Sequence, residues 1–127
     1  MAEQIKYIEN PSVKLRNQPY LTIEIDVSKA LKSWKSSLYS FEWLDKTGAI
    51  KPASDLKEAD QERRALVERQ ITQGQELEMP ILGIGMLDNV EIGTGKAVFL
   101  TVAAMGQTKM PVHIMAVHEK EFEAFIV

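Results

Sequence analysis

The chain has 127 residues, 45% of them apolar and 26% charged, with a formal charge of -3. That is the size and composition of one folded domain with a single core, and the charge gives no overall attraction to nucleic acid or to an anionic membrane. The absence of cysteine excludes disulfides, thiolate metal sites and cysteine nucleophiles. No run approaches a membrane span, so the expectation is a cytoplasmic protein with no membrane association.

In chain order, residues 1–19 are polar and broken by Pro11 and Pro19, which predicts a loosely held arm. Leu21 to Asp26 alternates apolar with polar, the period of a half-buried strand. Ser28 is placed to cap a short helix with Ala30, Leu31 and Trp34 on one face and Lys29, Lys32 and Lys35 on the other. The aromatic stretch from Leu38 to Leu44 reads equally as strand or packed loop, and Asp45-Lys46-Thr47-Gly48 reads as a turn. A longer helix is expected from about Asp55 to Thr72. Asp55 and Glu58 stand at capping-box spacing, Leu56, Ala59, Leu66, Val67 and Ile71 lie near one face, and Gly74 is the stop.

Pro80 to Met86 is a continuous apolar run of strand length, the pattern of a strand buried on both faces. After the turn Leu87-Asp88-Asn89, Val90 to Ile92 returns as a second strand. Gly93-Thr94-Gly95 then leads into a helical segment, Lys96 to Met105, stopped by Gly106. Val112 to Val117 reads as a further strand and Glu119 to Phe125 as a short helix burying Phe122 and Phe125. The fold class expected is α/β (α+β): one domain over residues 1–127, with a small mixed sheet flanked by helices.

Three features of the second half occur in a fixed order. Met79-Pro80-Ile81-Leu82 opens a strand, Gly95 and Gly106 bracket a helix, and Met105-Gly106-Gln107-Thr108-Lys109-Met110-Pro111-Val112 follows the pattern Leu-Gly-x-x-x-Ile-Pro-Val. Over residues 66–117 this order resembles the ParB/sulfiredoxin superfamily. In that family the turn before the helix binds nucleotide phosphates, of CTP in partition proteins and of ATP in sulfiredoxin, so the resemblance implies a nucleotide as cofactor. Thr94 stands where an acidic residue often lies, Gly95 is the retained glycine, and Lys96 replaces the first basic residue. Ala97 and Val98 occupy the His and Arg positions, so the guanidinium fork for phosphate oxygens is missing. Sulfiredoxin chemistry also needs a cysteine, and a partition protein carries a helix-turn-helix region after this domain. The resemblance therefore implies a diverged, non-catalytic binding or regulatory module with a protein or DNA partner, of the kind carried by plasmids, phages or other mobile elements.

Read from the residues, Gly93, Thr94, Gly95 and Lys96 are the candidate phosphate-binding turn, because a strand, glycine turn and helix start aim bare N–H groups at one point. The same glycines also suit a plain tight corner. A P-loop is excluded: Val90 takes the place of the leading glycine and Ala97 that of the hydroxyl residue after the lysine. The enzymatic alternative is a nucleotide hydrolase or nuclease. There Glu91 positions a metal or water and His113 assists proton transfer, against a plain reading of His113 as a half-exposed strand residue. His113 and His118 alone make no metal site. Lys29, Lys32 and Lys35 are the cleanest basic edge for nucleic acid, whereas the basic residues of the 55–72 helix are interleaved with acids and read as a solvated face. Trp34, Tyr39, Phe41 and Trp43 read mainly as core, and the methionines as packing.

Overall fold

A computed structural model describes residues 5–127. The fold is mixed α/β, with one four-stranded and one two-stranded sheet. In chain order the strands are β1 (Lys6–Ile8), β2 (Tyr20–Asp26), β3 (Glu76–Glu78), β4 (Ile81–Ile84), β5 (Val90–Thr94) and β6 (Lys109–Met115). The helices are α1 (Ser12–Leu15), α2 (Val27–Trp34), α3 (Glu58–Thr72), α4 (Lys96–Ala104) and α5 (Glu119–Phe122). The main sheet has the order β2-β6-β4-β5. The β2–β6 and β4–β5 pairs are antiparallel and β4–β6 is parallel, so α4 is the connection that returns the chain beside β4.

Alternation along the strands gives this sheet two distinct faces. Ile25, Leu82, Val90, Met110, Val112 and Ile114 face the helices and are buried with Trp34, Phe99, Leu100, Val102 and Phe122. Across the other face, Thr22 of β2, His113 of β6, Ile81 of β4 and Thr94 of β5 lie in register as one row. The chain terminus closes the free edge of β2, where Ile126 bridges Ile25 and Val127 donates its N–H to the Glu24 carbonyl.

The amino-terminal segment differs from the loose arm expected for residues 1–19, of which 1–4 lie outside the described residues. β1 pairs in parallel with β3, and Asn10 is buried over the second face of the sheet. Its backbone N–H donates to His113 Nε2 at 3.1 Å. Its Nδ2 donates to the Met79 carbonyl at 2.9 Å and to Thr94 Oγ1 at 3.0 Å, while its Oδ1 accepts from the Ser12 N–H at 2.9 Å. These partners lie 69 to 103 residues away except Ser12, too distant for local pattern to reveal.

Other elements also depart from the pattern reading. α2 is capped by Asp26, which accepts from the Lys29 N–H at 3.0 Å, and not by Ser28. α3 starts at Glu58 without a side-chain cap, because Ala53–Asp55 form a separate short turn. Its buried positions are Asp60, Val67 and Ile71, so the inward stripe is rotated from the expected one and Leu66 is left 49% exposed. The run Pro80–Met86 is buried only as far as Leu82; β4 ends at Ile84 and Met86 stands fully exposed at a hairpin tip. Of the aromatic group, Trp34 and Trp43 are core, whereas Tyr39 and Phe41 are exposed. Met105 is exposed too, and among the described methionines only Met110 is fully buried.

Candidate functional site

Strand turns into helix within one residue at the β5–α4 corner. Gly95 has φ 80, and a Cβ there would meet the Pro80 Cα at 2.9 Å. The corner needs glycine both for its left-handed backbone and for its close approach to Pro80. α4 has no side-chain cap. Its first ladder bond runs from the Phe99 N–H to the Gly95 carbonyl, leaving the N–H groups of Lys96, Ala97 and Val98 without intrahelical acceptors.

A cavity of about 290 Å³ opens at this helix start, lined by Trp43, Asp60, Arg63, Gly95, Lys96 and Ala97. Asp60 comes from α3 and is only 1% exposed. One carboxylate oxygen lies 3.4 Å from an Arg63 guanidinium nitrogen; the other, Oδ2, has no partner. Trp43 is wholly buried and its indole N–H also lacks an acceptor. A buried donor and a buried acceptor left unpaired are costly, and here both belong to residues lining one cavity. Lys96 Nζ lies 3.7 Å from Glu42, which also holds Lys57 at 2.8 Å. The hydrogen bond from Lys57, with a smaller contribution from Lys96, keeps the Glu42 carboxyl below its ordinary range.

The four residues of the predicted turn separate in space. Gly95 and Lys96 line the cavity. Thr94 accepts from Asn10 on the far face of the sheet, and Gly93 is the residue skipped where the β4–β5 register shifts.

His113 and Glu91 are both tied down elsewhere. A backbone N–H only donates, so His113 Nε2, which accepts from Asn10, carries no hydrogen. Nδ1 then donates to Thr22 Oγ1 at 3.1 Å. The ring is 3% exposed, a buried structural group in place of the half-exposed histidine expected, and burial pushes its pKa down. Glu91 accepts from Ser37 Oγ at 2.6 Å and from Asn89 Nδ2 at 3.0 Å. It joins the loop after α2 to the β4–β5 hairpin and does not line the cavity.

A larger cleft of about 710 Å³ lies between α2 and the end of α4; Lys32 and Lys35 line it and Lys29 does not. Lys35 Nζ donates to the Lys46 carbonyl at 3.2 Å. None of the residues lining that cleft carries an unpaired buried polar side chain, so the smaller cavity at α4 is the better-built site. Among the described residues, no cluster of His, Cys, Asp or Glu is placed to hold a metal, and no helix is long and apolar enough to cross a membrane.

Pattern reading did not assign Trp43, Asp60 and Arg63 to the site. One signal was available: Asp60 falls seven residues before Val67 and eleven before Ile71, on the same helical stripe. Comparison with protein-family models, with curated proteins and with solved structures gives no match for this chain.

Proposed function

We propose that this protein is a non-catalytic binding module that takes a small oxyanion at the start of α4. The single observation that carries the reading is the pairing of uncapped helix N–H groups with two buried, unpartnered polar side chains around one cavity. Lys96 and Arg63 supply positive charge at its mouth, and the helix start adds to it. At about 290 Å³ the cavity is near the lower bound of ligand pockets, about 300–1,000 Å³. It suits a head group better than a whole nucleotide.

The order hairpin, glycine corner, helix and parallel return strand supports reading the chain as a diverged ParB/sulfiredoxin-like domain, with a regulatory role in a mobile element such as a plasmid or phage. The hydrolase or nuclease alternative needs Glu91 and His113 at the corner, and both are engaged in other hydrogen bonds. A nucleotide would then meet the site only through a terminal phosphate. The test is titration of the labelled protein with inorganic phosphate, read by amide shifts. Shifts at Lys96, Ala97 and Val98 that vanish in Lys96→Ala support the site, and their absence overturns it. Turnover of ATP, CTP or DNA with Mg²⁺ or Mn²⁺ by the purified protein overturns the non-catalytic reading.

A further inference from the structure

We infer that the α4 site selects oxyanions that bring their own proton: inorganic phosphate or a phosphomonoester, and not sulfate or the phosphodiester of a nucleic-acid backbone. The inference rests on the oxyanion reading above and adds the identity of the head group. Its basis is the mixed character of the polar groups around the cavity. The helix N–H groups, Lys96, Arg63 and the Trp43 indole N–H all donate, and each is satisfied by a bare oxyanion oxygen. Asp60 Oδ2 is different. An ionised carboxylate only accepts, and a deprotonated oxygen placed against it meets like charge in a poorly solvated site. An oxygen that carries hydrogen turns that repulsion into a charge-assisted O–H···O⁻ bond, the short and strong kind. Sulfate at neutral pH and a phosphodiester have no such hydrogen, whereas a phosphomonoester, with a second pKa of about 6, retains one at mildly acid pH.

The surrounding charges fit the same occupant. Lys57 and Lys96 pair with Glu42, and Arg63 pairs separately with Asp60; together they leave an excess of one positive charge, to which the helix start adds. The monoanion of either occupant, which carries at least one proton, neutralises that excess. Oδ2 is closed to solvent in the free chain. Arg63, 64% exposed, holds the other carboxylate oxygen by one 3.4 Å contact, and an occupant reaches Oδ2 only by local rearrangement.

Calorimetric titration of the unmodified protein at pH 6 tests this with four probes: inorganic phosphate, methyl phosphate, dimethyl phosphate and sodium sulfate. The expected result is that phosphate and methyl phosphate bind at least about tenfold more tightly than the two proton-free anions, the scale of one charge-assisted hydrogen bond. Asp60→Asn, whose amide also donates, is expected to bring sulfate to within about threefold of phosphate. Equal affinity for all four probes overturns the selection and leaves the oxyanion site standing; no binding of any probe overturns the site itself. Inorganic phosphate binding without methyl phosphate assigns the free ion as the occupant, and binding of both assigns a phosphate terminus.

Discussion

The two regions flanking β5 treat buried polar groups in opposite ways. On the face covered by the amino-terminal segment, Asn10, Thr94, His113 and Thr22 satisfy one another through a closed set of hydrogen bonds. At the α4 corner, a residue or two further on, Asp60 and Trp43 are as deeply buried, yet each keeps a polar atom without a partner. A satisfied network anchors structure, whereas unpaired buried groups cost stability and persist where something else uses them. The comparison separates His113, the more conspicuous residue in the sequence, from Asp60, the more consequential one in space.

The largest effect expected on either side of this contrast belongs to Gly95. Gly95→Ala places a side chain on a left-handed residue and drives it into Pro80. A loss of about 3 kcal/mol is expected in urea unfolding; a loss below about 1 kcal/mol shows that the corner relaxes and is not fixed by glycine.

Next comes the closed network. Asn10→Ala removes the side chain that serves Met79, Thr94 and Ser12, and a loss of about 2 kcal/mol is expected. An unchanged urea midpoint means that the segment contributes nothing to folding, contrary to its burial. The same network has a pH signature. The folded chain holds His113 neutral and lowers its pKa by burial, with Glu9 alone opposing. As pH falls below about 6.5 the unfolded chain takes up the proton first, so stability declines from there until the folded pKa is passed and then levels off. His113→Gln keeps an acceptor for the Asn10 N–H and is expected to flatten that decline between pH 7.5 and 5. A decline of equal steepness assigns the effect to other groups.

The smallest change is expected at the open corner. Asp60→Asn relieves an unpaired carboxylate oxygen and gives up one contact to an exposed arginine, worth little by itself. Stability is expected to rise by up to about 1 kcal/mol, read from thermal unfolding in phosphate-free buffer. A loss larger than that places Asp60 with the structural groups and erases the contrast.

Much of the fold was legible because local periodicity and turn chemistry act over a few residues. Leu21–Asp26 as a strand, the corner at Gly95 and the helix ending before Gly106 all follow from such signals, and so does a last strand, although it runs Lys109–Met115 in place of the expected Val112 to Val117. The largest error came from partners distant in sequence that overrode the local signal, while others arose within a single turn. Asn10 docks because Met79, Thr94 and His113 present matching groups, and Met86 is exposed because Gly85 and Asn89 close a hairpin around it. The candidate site was half legible. Gly95 and Lys96 announce a helix start, whereas Trp43 and Asp60 read as core and as solvated helix.

By itself the sequence determined where the chain bends and which segments extend or coil, since backbone sterics at glycine and proline and the spacing of apolar residues are local properties. Only the tertiary structure decided which polar groups are spent on one another and which remain unpaired. That balance depends on which distant segments meet, and burial is what makes an unmatched donor or acceptor expensive.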